Sequence, residues 1–309
     1  MTPRTLAVIA ALAATPLLAG CGGDDDAART TTATTAADTA TTGRIGSGAT
    51  AANLVEASNR TTQLGGMRIA LKQQIDAGGE GSFSSTAAGE VDPKAQTGSM
   101  VLDMSGIPGL PAGAGKQEVR FKGFVSYMRS SLFSSQLPQG KSWIRIDLGK
   151  ASKSLGIDLG SLGAGGAGSS DPTQALQYLK AATGDIETVG KEDVRGEPTT
   201  HYRATIDYAR YPSLAKPADR AAAKAGVEQL IKLSGSRTSP MEVWVDGDGR
   251  VRRIRQTVGT QLTPGKKATI TQDYELYDFG HQVDVQLPPD SEVQDLTDLA
   301  GDASKSLTP

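Results

Sequence analysis

The residue types that do covalent or metal chemistry are scarce in this chain, and their spacing keeps them apart. His201 and His281 are far from each other, each within strand-like sequence, and neither stands at a metal-ligand spacing. Asp246-Gly247-Asp248-Gly249 offers two carboxylates but lacks the further oxygens of a calcium loop, and is sufficiently explained as a hairpin turn. Gly109 to Lys116 superficially matches a phosphate-binding loop, which would need glycine in place of Leu110 and Ser or Thr in place of Gln117. A Gly-x-Ser-x-Gly nucleophile turn is missing. The expectation is a protein that is not an enzyme and carries no cofactor or metal; an envelope hydrolase would need a catalytic group that these residues do not form.

Cys21, the single cysteine, has a different chemistry. Arg4 supplies a positive start, Leu6 to Leu18 an apolar run, and Ala19 and Gly20 a small-residue cleavage site, the pattern of a secretory signal over residues 1–20. Leu18-Ala19-Gly20-Cys21 resembles the lipobox of bacterial lipoproteins, in which the thiol is diacylglycerated. That resemblance makes Cys21 a membrane anchor on the extracytoplasmic face; the alternative is an ordinary secretory signal ending near a cysteine. Two acyl chains, at about 0.8 kcal/mol per buried CH₂, together hold on the order of 20 kcal/mol. No second thiol exists to form a disulfide within the chain.

Residues 21–49, Cys21 followed by mostly Thr, Ala, Asp and Gly with Ile45 the one large apolar residue, cannot bury enough surface to order themselves. As a coil of about 28 residues the stretch would hold the rest of the chain roughly 30 Å from the anchor. Residues 50–309 are long enough for a single β-rich domain. The chain's 32 basic against 34 acidic residues remove the overall basic field that nonspecific nucleic-acid binding would want.

The elements that would position any site announce themselves by alternation. Met67, Ile69 and Leu71, then Met100, Leu102 and Met104, then Val119 with Phe121 and Val125 with Tyr127, repeat every second residue. Trp143 to Leu148, Pro198 to Asp207, Met241 to Val245, Arg250 to Leu262 and Lys267 to Phe279 add further strands, the Asp246–Gly249 turn making a hairpin of the third and fourth. Helices are expected over Ala51 to Leu64, Asp171 to Ala182 and Pro217 to Leu233, the second from an Asp N-cap followed by Pro172. The fold class is therefore α+β, a meandering antiparallel sheet with a few helices packed on one face.

The order Trp143-x-Arg145-x-Asp147-Leu148, Asp171-Pro172-x-x-Ala175-Leu176-x-Tyr178-Leu179, Gly190-x-Glu192, Gly196-x-x-Thr199-Thr200-x-Tyr202 and Val243-Trp244-x-Asp246-x-x-Gly249 resembles the actinobacterial LppX/LprG-type lipoproteins, within the LolA/LolB-like carriers. The likeness spans most of Asn53 to Pro289. It implies a curved antiparallel sheet, or half-open barrel, with helices on its concave face around an apolar cavity. The ligand it implies is a lipid or glycolipid, carried or presented with an envelope transport partner. LolA-like domains in envelope-stress sensors imply a second reading, a non-transporting binding or sensory module that regulates a membrane partner.

Candidate cavity-lining residues are Met67, Ile69, Leu71, Met100, Leu102, Met104, Phe121, Tyr127 and Trp143, which would otherwise form a dry core against the helices. The glycine-rich stretches Gly109 to Lys116 and Leu155 to Ser170 read as apolar lids at a cavity mouth or as disordered insertions. Arg252, Arg253 and Arg255 are candidate headgroup contacts, or the solvated face of a strand; strict alternation puts Arg253 and Arg255 with Val251, and Arg252 with Ile254. Cys21→Ser is expected to abolish acylation and release the chain from membranes, or leave an unprocessed precursor. Membrane fractionation with mass spectrometry of the N-terminus checks this, and a cleaved, unmodified N-terminus on the membrane-attached parent chain contradicts it.

Overall fold

The period-two pattern becomes one sheet of twelve strands in this computed structural model, which describes residues 50–78, 81–110, 115–147, 149–150, 179–214, 217, 220–263 and 266–298. The strands are β1 (Gly66–Asp76), β2 (Ser82–Asp92), β3 (Thr97–Asp103), β4 (Lys116–Lys122), β5 (Val125–Ser130), β6 (Trp143–Asp147), β7 (Ala182–Val194), β8 (Glu197–Asp207), β9 (Thr238–Asp246), β10 (Val251–Thr263), β11 (Lys266–His281) and β12 (Val293–Asp295). Their order is β12-β6-β5-β4-β3-β2-β1-β11-β10-β9-β8-β7, so the sheet is open, with β12 and β7 at its edges. Every pairing is antiparallel except β12 on β6, where Val293 pairs with Trp143 in parallel. The helices among the described residues include α1 (Ala51–Gln63), α2 (Ser131–Ser134), α3 (Tyr211–Leu214) and α4 (Arg220–Ser234).

The hairpins follow local backbone chemistry. Between β7 and β8, Arg195 and Gly196 both take positive φ, 54° and 80°, the geometry whose twist matches that of the paired strands. The expected β9–β10 hairpin forms around Asp246, whose Oδ1 accepts the backbone N–H groups of Asp248 and Arg250 at 3.0 and 2.9 Å.

Helix α1 begins with a capping box: the Thr50 side chain accepts the Asn53 N–H, and the Asn53 side chain accepts the Thr50 N–H. It buries Leu54, Ala57, Ser58 and Thr61, a single stripe at helical spacing. Thr61 also registers the helix on the sheet. Its hydroxyl donates to Ala57 O at 2.7 Å and accepts the Val251 N–H at 2.8 Å, where β10 carries an irregularity between Val251 and Arg253. Helix α1 packs against β7 and β10, and α4 against β10. Leu54, Ala57, Tyr208, Tyr211 and Val227 join Met67, Ile69, Val243, Ile254 and Leu276 in one apolar core, so the helical and strand faces meet on one side of the sheet.

Three sequence expectations change. Ser82–Asp92, not foreseen as a strand, is β2: its Ser, Thr, Ala and Gly residues carry little β propensity, yet it fills the place between β1 and β3 and takes their ladders. The helix expected over Asp171 to Ala182 falls mostly outside the described residues; Leu179–Ala181 is a single 3₁₀ turn and Ala182 opens β7. The helix expected from Pro217 is described as α4 from Arg220 to Ser234. Residues 1–49 and the Leu155–Ser170 stretch also lie outside the described residues, as do positions 111–114 of the other glycine-rich loop.

Thr61→Val keeps the shape of the side chain but leaves the buried Val251 N–H without its acceptor. It is expected to destabilise the fold by about 1–3 kcal/mol, the desolvation of one unpaired group. Urea unfolding at neutral pH measures this, and an unchanged midpoint would remove the helix–sheet bond from the account.

Candidate functional site

Cross-strand register decides which side chains share the apolar face. Leu71 stands opposite Ala87 of β2 and Tyr274 of β11; Ile69 is opposite Gly89 and Leu276; Met67 is opposite Val91. Across β3, Met100 pairs with Gly89 and Leu102 with Ala87, and Phe121 of β4 pairs with Gly98. Gly98 is glycine for a reason of space: a Cβ there would lie 2.6 Å from Phe121 Cζ. Met67, Ile69, Met100 and Phe121 are buried in the core, with Leu71 and Leu102 half-buried against it. Six of the nine candidate lining residues therefore come together.

The other three are placed differently. Met104 is buried, 1 % exposed, but stands outside that core cluster. Tyr127 and Trp143 belong to the opposite face. Phe121 pairs with Ser126, and Ser126 and Met128 therefore continue the apolar face while Tyr127 pairs with Arg120 and Arg145 on the other. The guanidinium groups of Arg120 and Arg129 lie 4.7 and 4.8 Å from the Trp143 ring centroid. Alternation within a segment gives two faces without saying which one is inside.

Toward the far ends of β1, β2, β10 and β11 the same face continues through Ile75, Phe83, Val258 and Ile270, all half-buried. Ile75 pairs with Phe83 on one side and Ile270 on the other, and Ile270 with Val258. Between this row and the Leu71 row stand Ser85, Gln73, Gln272 and Gln256, again in register. The face thus presents half-buried apolar side chains on both sides of a neutral polar row.

Charge is kept on the other face. The β10 irregularity brings both Val251 and Ile254 into the core, so strict alternation fails there. Arg253 donates to Asp273 Oδ1 at 2.7 Å and Arg255 to Asp273 Oδ2 at 2.8 and 3.0 Å, with Arg255 also 3.5 Å from Glu242. Arg252 is buried, donating to Asp246 Oδ2 at 2.7 Å and lying 4.9 Å over the Phe279 ring. All three candidate headgroup contacts are thus paired with carboxylates of the fold. Burial raises the Asp273 carboxyl, but hydrogen bonds and charge from Arg253 and Arg255 outweigh it and hold it below the usual carboxylate range. A concavity of about 510 Å³ lies over Ala70, Ala88 and Val101, rimmed by charges of both signs: Lys72, Lys116 and Arg253 against Asp103, Asp273 and Glu275.

His201 stacks on Trp244 with ring centroids 4.1 Å apart, and its Nδ1 is 3.0 Å from Glu192 Oε1. Trp244 donates its indole N–H to Glu192 Oε2 at 2.9 Å, and Arg253 covers its ring at 4.8 Å. His281 instead bridges Glu90 and the Asp278 carbonyl at 3.2 and 2.8 Å. Among the described residues, no three His, Cys, Asp or Glu groups are placed to hold a metal ion.

No protein-family model matches the chain. A 31.2 kDa protein of Streptomyces griseus, from the rplA–rplJ intergenic region, is 33 % identical over 161 residues, 52 % of this chain and 50 % of that protein. The chain spans about half the length of this curated relative. Solved structures similar to this one include Mycobacterium tuberculosis lipoprotein LppX, 14 % identical over 76 % of this chain and 97 % of that one, TM-score 0.42. LprF from Mycobacterium bovis is 13 % identical over 77 % and 96 % at TM-score 0.41, and a LolA-superfamily protein from Nitrosomonas europaea 10 % identical over 78 % and 96 % at 0.28. Proteins of the LppX and LolA types, to which the sequence is likened above, are thus among the similar structures, and no residue takes its role from them.

Asp246 ties the outer charges to the hairpin and sets a pH dependence. Burial raises its carboxyl, yet the Arg250 N–H and the guanidinium groups of Arg252 and Arg250 outweigh this and lower it from its ordinary value. A depressed folded value contributes stability above the unfolded value of about 3.9, lost as pH falls through the folded one. Asp246→Asn is expected to be less stable than the parent by about 3 kcal/mol at pH 7, the cost of breaking a buried pair, with the gap narrowing below about pH 4. Denaturant unfolding of both chains at several pH values checks this; a gap independent of pH contradicts it.

Proposed function

We propose that this chain is a non-catalytic envelope protein that binds lipids or other amphiphiles on the apolar face of its sheet. Cys21 tethers it to the membrane and residues 21–49 give it reach. The observation that carries the reading is the set of half-buried side chains in two rows, Leu71 and Leu102 in one and Phe83, Ile75, Ile270 and Val258 in the other, apolar groups that share the inner face with the core without being sealed into it. A dry core would close over such residues, because each exposed apolar area of this kind costs about 25 cal/mol per Å². An acyl chain laid along them removes that area from water. Presentation to an envelope transport partner follows as the role of a tethered carrier.

Leu102 and Val101 are neighbours on opposite faces, and the same substitution at both isolates the face from the charge. Leu102→Glu is expected to weaken binding of a fluorescent fatty-acyl probe by roughly ten-fold or more, since an unpaired carboxylate in an apolar site is costly to desolvate. Val101→Glu, at a side chain 50 % exposed on the outer face, is expected to leave binding within about two-fold. Circular dichroism confirms folding of each variant. Equal binding by two folded variants contradicts the inner-face site and favours a module that acts through protein contacts instead.

A further inference from the structure

The neutral polar row on the apolar face is the feature that packing alone leaves unexplained. Ser85, Gln73, Gln272 and Gln256 come from β2, β1, β11 and β10, four consecutive strands of the sheet, and each is directly opposite the next: Ser85 with Gln73, Gln73 with Gln272, Gln272 with Gln256. Adjacent strands are about 4.8 Å apart, so the three amides form one continuous band. Apolar rows flank it on both sides. Ala87, Leu71, Tyr274 and Ile254 run along one, Phe83, Ile75, Ile270 and Val258 along the other.

Only part of the band's hydrogen-bonding capacity is used among the described residues. Gln256, 3 % exposed, donates through Nε2 to the Tyr208 hydroxyl at 3.2 Å. Gln73 Oε1 accepts from the Ser85 hydroxyl at 3.3 Å. The amides of Gln73, Gln272 and Gln256 make no hydrogen bond to one another, and the Gln272 amide has no partner among the described residues. Half-burying an amide without its hydrogen bonds costs free energy that leucine at the same position would not. Each glutamine brings donors and an acceptor, and the band contains no charged side chain.

We infer that this band is a subsite for an uncharged hydrogen-bonding group of a bound amphiphile, an ester carbonyl or a hydroxyl, with acyl chain lying on the apolar rows beside it. This rests on the apolar face being a lipid site and adds which polar chemistry the ligand has. An anionic headgroup at the same place would lose its water shell and gain no counter-charge, so the band selects neutral glycerides or alcohols over free carboxylates.

The test uses the exported Cys21→Ser chain and three sixteen-carbon probes, 1-monopalmitoylglycerol, palmitate at pH 8 and hexadecane, each displacing a fluorescent acyl probe. The parent chain is expected to bind the glyceride at least ten-fold more tightly than palmitate. Gln272→Leu and the unbranched Gln272→Met are expected to weaken glyceride binding about 3- to 10-fold, the equivalent of one hydrogen bond, while hexadecane binding stays equal or tightens. Two replacements of different shape separate loss of the amide from a packing fault. Unchanged glyceride affinity in both folded variants, or palmitate bound as tightly as the glyceride by the parent chain, overturns the amide subsite while the lipid site stands. No displacement by any of the three probes overturns the lipid site itself.

Discussion

The apolar face exists because seven neighbouring strands, β3, β2, β1, β11, β10, β9 and β8, hold their two-residue periods in phase. Leu102, Ala87, Leu71, Tyr274, Ile254, Val243 and Tyr202 form one row across the sheet, each opposite the next. A one-residue slip at any ladder would send the part of that row beyond it to the other side. Where β10 gains a residue between Val251 and Arg253, Thr61 of α1 supplies the acceptor for the Val251 N–H. The same contact fixes α1 over the β7–β10 part of the sheet. Helical cover and strand register are therefore consequences of each other.

The two faces divide the chemistry. Along β8 to β11 the outer face alternates sign from strand to strand: Arg203 is opposite Glu242, Glu242 opposite Arg255, and Arg255 opposite Asp273. Such paired charges contribute little individually where exposed, but Asp273 and Asp246 are substantially buried and hold their guanidinium partners in place. With Arg252, Arg253 and Arg255 paired on the fold, the row Ser85, Gln73, Gln272 and Gln256 on the inner face is neutral, its polarity coming from three amides and a hydroxyl. Under the proposed reading, that division favours ligands that bring apolar length and an uncharged polar group.

Much of this was legible in the residues. The alternating runs and the strand and turn signals between them give β1, β3, β4, β5, β6, β8, β9, β10 and β11 to within a few residues, and the Asp–Gly hairpin falls where expected. What could not be read was phase between strands. Tyr127 and Trp143 carry the aromatic signature of a lining residue, but only their pairing to Arg120, Arg145 and Arg129 shows that they face away. Ser82–Asp92 hid because it is polar and small, and its strand is set by its two neighbours rather than by its own preferences. The glutamine band is not legible for another reason: Gln73 lies far along the chain from Gln256 and Gln272, and only the β1–β11 pairing makes the three adjacent.

The central claim is that the apolar face is occupied by an amphiphile when the protein is in its own envelope. Native mass spectrometry of the exported chain, released gently and then stripped with organic solvent, tests this most directly. The account predicts a mass excess of an acyl-bearing molecule on a major fraction of the chain, beyond any covalent anchor, lost on stripping and restored by adding a neutral glyceride. A chain that carries only its covalent mass before stripping, and takes up no glyceride after it, would contradict the account.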